Sequence, residues 1–198
     1  MSKKLLVNVR GCNGAGKSTI PMSMMDDPDM YVEQLNYSDG KRIGSFTVFP
    51  SYGWIALGTY FNKTGGLDGV RNMECVKTTL YAALGMYPDY DILMEGILCS
   101  TVFSSYSDLF HTIENQTCRQ VMILSLLPPL EVCLERIQSR NGGKPIKEDL
   151  VAGKRVSVAR SHEKFKQEGF TCIRVDSSRV PKEQMLNSFF KTVNKHRR

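Results

Sequence analysis

The feature that most constrains this chain is a glycine-containing segment, Gly11-Cys12-Asn13-Gly14-Ala15-Gly16-Lys17-Ser18, which follows the pattern G-x-x-x-x-G-K-S. Residues 4–10 before it are predicted to form a short buried strand, and Thr19 to Met25 after it to start a helix. In this setting the glycines turn successive backbone N–H groups inward, and the helix N-terminus adds positive partial charge. The pattern therefore predicts a P-loop that binds the phosphates of a nucleotide.

The polar groups of this loop have separate predicted roles. Lys17 is expected to reach the β- and γ-phosphates, and the Ser18 hydroxyl to bind Mg²⁺. The predicted cofactors are therefore ATP and Mg²⁺. The residues expected to surround the phosphates are Asn13, Gly14, Ala15, Gly16, Lys17, Ser18 and Thr19.

Length and composition are those of an ordinary globular domain. The chain has 198 residues, 41% hydrophobic and 23% charged, so we expect one domain over 1–198. No segment approaches the roughly 18 apolar residues of a membrane span, and the first apolar run, which stops after Val7, is too short for a signal peptide. The six cysteines lack a C-x-x-C pair or metal-ligand spacing. We expect a reduced cytoplasmic protein without membrane contact, structural disulfides or zinc.

Positive charge favours anionic partners, although nucleotides and DNA would both satisfy it. The net charge is +6, and residues 136–166 hold nine Lys or Arg against three acids. The basic C-terminus at 195–198 is expected to be a solvated tail.

Alternating strand and helix patterns predict an α/β fold, a mainly parallel doubly wound sheet with flanking helices. Strands are predicted at 91–95, 120–125 and 171–175, and helices at 70–84, 102–113, 129–140, 148–167 and 181–195.

The segment at about 31–60 breaks this alternation. Apolar and aromatic runs at 31–37, 42–49 and 53–58 around Asp39-Gly40 predict a β-hairpin excursion. It forms either a separate antiparallel unit or a strand that joins the main sheet. Most of its aromatic residues are expected to pack in the core, and one or two to stack on a base.

Glu95 is the principal acidic candidate, because it ends a predicted buried strand and precedes Gly96. An acid at the carboxyl end of a strand beside the P-loop faces the ligand crevice. There it is predicted to bind Mg²⁺ or to accept the proton of an attacking hydroxyl. Capping of the next helix is the alternative.

Two arginines mark a predicted lid over residues 136–160. Arg136 and Arg140 lie four residues apart and share a helix face, and a Gly-containing loop follows them. Cations on a closing lid stabilise a transferring phosphoryl group and exclude water, so both are predicted catalytic residues, and Arg136 also a nucleotide contact. A solvated helix face is the alternative for each.

A glycine-rich loop at 64–69 precedes a predicted helix and contains Asp68. Asp68 is expected either to bind an acceptor hydroxyl or base edge, or to serve as the N-cap of that helix.

These features resemble the nucleoside and nucleotide kinases among P-loop proteins. They are still more similar to phage-encoded P-loop kinases that include the 5-hydroxymethyluracil DNA kinases. The resemblance lies in residues 10–19, 58–60, 65–68 and 95–100. It implies an ATP-dependent kinase acting on 5-hydroxymethyluracil in phage DNA, in the host cytoplasm, with residues 175–178 at the adenine. The residues expected to bind the substrate are Tyr60, Asp68 and Arg42.

One departure from that family leaves the substrate open. Its G-H-Y element reads Gly58-Thr59-Tyr60 here, and the missing His would lie near the acceptor.

Two other functions remain at this point. A deoxynucleoside monophosphate kinase needs arginines for the acceptor phosphate, and only Arg42 and Arg71 occur between the P-loop and Glu95. A nucleotide-dependent nucleic-acid-binding switch would use an Asp-based second motif, and the lid arginines favour phosphoryl transfer instead. A DNA acceptor accounts for the basic balance.

Overall fold

The computed structural model describes residues 2–61, 66–142 and 144–198. Seven strands form one sheet in the order β2-β3-β4-β5-β1-β6-β7. They are β1 (Leu5–Arg10), β2 (Tyr31–Asn36), β3 (Arg42–Phe49), β4 (Trp54–Leu57), β5 (Asp91–Glu95), β6 (Gln120–Leu126) and β7 (Thr171–Val175).

In the described residues, seven α-helices connect or follow these strands. They are α1 (Thr19–Met22), α2 (Met73–Met86), α3 (Ile97–Thr101), α4 (Ser104–Thr117), α5 (Leu130–Asn141), α6 (Glu148–Gln167) and α7 (Met185–His196). Short 3₁₀ turns occur at Pro50–Tyr52, Gly66–Gly69, Ser177–Arg179 and Lys182–Gln184.

The predicted mainly parallel sheet with a hairpin excursion is confirmed. Strands β4, β5, β1, β6 and β7 are mutually parallel, whereas β2–β3 and β3–β4 pair antiparallel. Of the two expected arrangements, the hairpin joins the main sheet through β4. All four β4 side chains are buried, so this strand is a central member of the sheet.

The core lies on both faces of the sheet. Alternate side chains of β1 point to opposite faces, so Leu5 and Val7 pack with α1, α5 and α7, and Leu6 packs with α2 and α4. Helix α6 contributes to both faces. Across the residues described, none of the helices combines the length and apolar character needed to span a bilayer.

The helix after the P-loop is shorter than predicted. It ends at Met22 rather than continuing to Met25, and the Ser23 hydroxyl donates back to the Thr19 carbonyl at 2.8 Å. One turn carries little macrodipole, so the phosphate-binding capacity of the loop must come mainly from its own N–H groups.

Helix α2 also begins later than predicted. Its N-cap is Asn72, whose side chain accepts from the Cys75 N–H at 2.9 Å. The preceding residues Gly66–Gly69 form a 3₁₀ turn instead. The short helix α3, directly after Glu95, was not predicted because five residues show no helical period.

Candidate active site

The P-loop backbone has the shape of an anion site. Gly14 and Gly16 have positive φ angles of 77° and 91°, which favour glycine. A Cβ on Gly14 would lie 2.3 Å from the Cys133 carbonyl oxygen, so α5 packs directly on the loop. Within the described chain, the N–H groups of Gly14, Gly16, Lys17 and Ser18 donate to no protein acceptor. They are available to phosphate oxygens.

Lys17 lies between the loop and the end of β5. Its ammonium donates to the Cys12 carbonyl at 3.2 Å, and the residue is 7% exposed. Its charge acts to lower the pKa of Glu95. Lys17 therefore supplies positive charge where the predicted phosphates and Glu95 meet.

Glu95 is fully buried beside the P-loop. It is the last residue of β5 and pairs with Val9 of β1. Its Oε1 accepts from the Ser18 hydroxyl at 3.0 Å, while Oε2 has no hydrogen-bond partner in the described part of the chain. Burial raises the pKa of Glu95, and Lys17 and Ser18 oppose that rise. An unpartnered buried oxygen can accept a proton.

The position of Asp68 decides which residues cap α2 and α3. Its Oδ1 accepts from the Ile97 N–H at 2.6 Å, so Asp68 rather than Glu95 caps α3. The predicted alternative, that Asp68 caps the helix that follows it, is wrong because Asn72 holds that position. Asp68 is exposed, and its charge helps to raise the pKa of Glu95, so its substrate role stays a prediction.

A buried arginine fixes the neighbourhood of α3. Arg10, at the end of β1, donates to the carbonyls of Ser100 at 2.7 Å and Val102 at 2.9 Å. Burial lowers the pKa of Arg10 to about 10. These hydrogen bonds fix the backbone of α3 and the residue that follows it. Arg10 is fully buried, so its role is structural.

Arg136 lies against the P-loop, and its nucleotide contact stays a prediction. It donates to the Ser177 carbonyl at 3.0 Å and to the Gly14 carbonyl at 3.4 Å. Ser177 belongs to the predicted adenine loop, and its hydroxyl donates to the Ala15 carbonyl at 2.8 Å. Arg136 and Ser177 therefore brace the P-loop against the turn after β7.

Arg140 is placed differently. It is exposed near the end of α5 and forms no hydrogen bond or ion pair with the residues that the structure describes. The structure does not bring it to the P-loop, so its catalytic role stays a prediction.

Two contacts at the P-loop were not predicted, although Lys154 belongs to the predicted lid region and Ser177 to the predicted adenine loop. Lys154 on α6 donates to the Asn13 side chain at 3.1 Å, and this brings a second ammonium to the P-loop. The second contact joins the Ser177 hydroxyl to the Ala15 carbonyl. A lysine in a basic helix and a serine in a turn carry no distinguishing local signal, and only helix packing singles them out.

An open cleft of about 290 Å³ lies on the acceptor side, between the start of β3, the end of β4 and the turn at Gly66–Gly69. Arg42 and Arg71 both line it. Gly66 lines the cleft and also packs against Glu95, since a Cβ on Gly66 would lie 2.4 Å from Glu95 Oε1.

Tyr60 has a packing position rather than an open substrate-facing one. It is 4% exposed, and its hydroxyl donates to the Leu57 carbonyl at 3.1 Å. Burial raises its pKa well above the usual value. The Tyr60 side chain is therefore enclosed in the protein near Glu95. Its predicted contact with the substrate stays a prediction.

The donor set suits Mg²⁺ held jointly with a nucleotide. Ser18 Oγ and the Glu95 carboxylate are hard oxygen donors, the type this ion prefers. No group of three or more His, Cys, Asp or Glu residues that could hold a metal occurs in ranges 2–61, 66–142 and 144–198. One or two protein oxygens plus substrate phosphates is the usual arrangement for Mg²⁺.

Comparison with known proteins gives consistent relatives. A family model described as 5-hmdU DNA kinase matches residues 2–187. The chain is 46% identical over 194 residues to a 5-hmdU DNA kinase of Bacillus phage SP10, covering 96% of this chain and 29% of that protein. It is 38% identical over 172 residues to a 5-hmdU DNA kinase of Pseudomonas phage M6, covering 83% and 87%. The chain therefore spans under a third of the first relative and most of the second.

A solved structure with a similar fold is a fungal RNA kinase. It superposes with a TM-score of 0.52 at 10% identity, covering 98% of this chain and 88% of that one. This likeness concerns the fold alone, and it agrees with the predicted P-loop kinase architecture.

Proposed function

The chain belongs to the 5-hmdU DNA kinase family, and from this premise we propose that it transfers the γ-phosphoryl group of ATP to the hydroxyl of 5-hydroxymethyluracil in DNA. One observation carries the proposal. Glu95 is a fully buried carboxylate with an unpartnered Oε2 among the described residues, and it lies between P-loop Ser18 and the cleft at Gly66. It is thus the group that a donor phosphate and an acceptor hydroxyl would share.

In this reaction the acceptor oxygen forms a bond to the γ-phosphorus, and the bond from that phosphorus to the ADP oxygen breaks. The hydroxyl proton goes to Glu95 Oε2. Burial raises the pKa of Glu95, which makes this carboxylate a stronger proton acceptor than an exposed one. Lys17 and the free P-loop N–H groups stabilise charge on the phosphate oxygens.

Ser18 Oγ and Glu95 Oε1 are the oxygens that would hold Mg²⁺. When bound, the ion would neutralise charge on the β- and γ-phosphates. The chain's own contribution is to keep these two oxygens 3.0 Å apart at the junction of the P-loop and β5.

The lid residues take separate parts in the proposal. Arg136 is held between Ser177 and Gly14 and would contact the nucleotide there. Arg140 is one turn further along α5 and exposed, so it would reach the phosphates only when the predicted lid over 136–160 closes. Closure would exclude water as a competing acceptor.

A deoxynucleoside monophosphate kinase is the second candidate, because Arg42 and Arg71 share one cleft next to Glu95. Such a pair suits the phosphate of a free nucleotide as well as that of a DNA strand. Family membership favours the strand. Because ATP and DNA meet in the bacterial cytoplasm, we propose that compartment as the place of action.

The test is a transfer assay with γ-labelled ATP. The acceptors are an oligonucleotide containing 5-hydroxymethyluracil, the same oligonucleotide with thymine, and the free hydroxymethylated monophosphate. We expect label in the first and only background in the other two, and background throughout with Lys17→Ala. Label entering only the free monophosphate would replace this proposal by the second candidate.

A further inference from the structure

The cleft on the acceptor side carries two arginines from distant parts of the sequence. Arg42 begins β3, and Arg71 precedes α2. Both are exposed and line the same cleft of about 290 Å³. The two arginines that the sequence places between the P-loop and Glu95 are therefore neighbours in space.

Both guanidinium groups keep donors for a ligand. Arg42 uses one nitrogen on the Ser45 hydroxyl at 2.5 Å. Neither arginine forms an ion pair with an acid in the portion of the chain that is described. The carboxylate of Asp39 accepts from Lys41 at 2.7 Å, and this hydrogen bond is the main cause of its lowered pKa. The charge of Arg71 adds a smaller effect without forming an ion pair. The cleft thus has positive charge that no carboxylate of residues 2–61, 66–142 or 144–198 pairs with.

Glycines let the backbone segments at the floor of this cleft pack closely on one another and on Glu95. Gly58 has a φ of +99°, and a Cβ there would lie 2.1 Å from the Gly66 carbonyl oxygen. A Cβ on Gly66 would in turn meet the Glu95 carboxylate. Backbone and the polar side chains of Ser45 and Thr59 line the space together with Ile43 and Val70. The mainly polar lining suits a sugar–phosphate group better than an apolar base.

We propose that Arg42 and Arg71 bind the phosphodiester backbone of the DNA strand next to the target nucleotide, so that the base hydroxyl is directed towards Glu95. This inference rests on the proposed function. Paired guanidinium groups match phosphate oxygens with bidentate geometry, and the binding energy gained there is realised away from the reacting atoms. A free nucleotide 5′-phosphate has the same chemistry and is the other source to be distinguished.

The experiment compares Arg42→Ala, Arg71→Ala and the double variant with a matched control, Lys191→Ala. Lys191 is an exposed lysine on α7 outside the cleft lining, so its removal changes net charge equally. The first readout is binding of a fluorescent oligonucleotide containing 5-hydroxymethyluracil, measured by anisotropy without ATP at several salt concentrations. The second is KM for that oligonucleotide, for ATP and for the free monophosphate.

We expect each arginine variant to weaken oligonucleotide binding about tenfold and to reduce the slope of log affinity against log salt by about 0.7 to 0.9, one phosphate contact each. The KM for ATP should not change, which also shows that the variants fold. Arg71→Lys should recover part of the affinity because the charge returns without the bidentate geometry.

Oligonucleotide affinity and salt slope equal to those of Lys191→Ala would overturn the inference, as would an effect confined to the KM of the free monophosphate. The proposed function fails separately. If wild-type protein puts no label into hydroxymethylated DNA, but oligonucleotide binding still falls in the arginine variants, the kinase assignment is lost and the phosphodiester contact stands.

Discussion

The nucleotide side and the acceptor side of this site are built in opposite ways. On the nucleotide side the charged groups are enclosed, with Lys17 7% exposed and Glu95 fully buried, and their partners come from the protein. On the acceptor side Arg42 and Arg71 are exposed around an open cleft. In the proposed reaction, the charges that would meet the transferring phosphoryl group are fixed in advance by the protein, whereas the arginines of the proposed acceptor cleft are exposed to solvent.

This difference implies different kinetic consequences. Groups fixed before the ligand arrives act mainly on the transition state, so their removal should lower kcat. Groups that bind remote parts of the acceptor should mainly change its KM. The following substitutions test that division.

The largest effect is expected from Lys17→Ala. Loss of a preorganised charge at the phosphates should lower kcat by about 10³-fold. The fold should persist because Lys17 lies in a loop, outside the helices and strands. Circular dichroism of the variant checks this. Near-normal turnover in steady-state assays would show that the nucleotide side does not depend on this ammonium.

Glu95→Gln removes the proton acceptor but keeps the shape of the side chain. We expect kcat to fall by about 10²-fold, with a much smaller change in ATP affinity measured by calorimetry. A normal kcat would mean that Glu95 has no part in the chemistry. Equal losses in kcat and ATP affinity would assign it to nucleotide binding alone.

Gly66→Ala tests the point where the two sides meet. Its φ of +63° and the 2.4 Å approach of a Cβ to Glu95 should force the carboxylate to move and lower kcat by about tenfold. The control is Gly85→Ala on α2, an exposed position outside the cleft where a Cβ meets nothing within 4 Å among the described residues. Similar kcat values for the two variants would contradict the proposed link.

The smallest effect is expected from Asp68→Asn. Asparagine keeps an oxygen for the Ile97 N–H but removes a negative charge near Glu95. We expect a loss of a few-fold in transfer, on the scale of one exposed charge, without change in ATP binding. Asp68→Ala, which also removes the cap of α3, should be worse; an Asn variant equal to Ala would show that capping requires the carboxylate.

Much of the nucleotide side could be predicted from local sequence. The P-loop motif identified Lys17 and Ser18, and the apolar run ending at Glu95 predicted the boundaries of β5 as observed. The position of Glu95 beside Ser18 follows from the parallel pairing of β5 with β1. These positions could be predicted because a strand, a glycine loop and an acid at a strand end are local signals with fixed geometric consequences.

The remaining contacts were decided by tertiary structure. The sequence by itself determined the phosphate loop, the alternating α/β order and the acid at the end of β5. Only packing brought Arg42 beside Arg71, Lys154 to Asn13, and Asp68 to the N–H of Ile97. Each of these pairs joins residues from different elements, and their meeting depends on sheet register and helix placement, which no periodicity within one segment encodes.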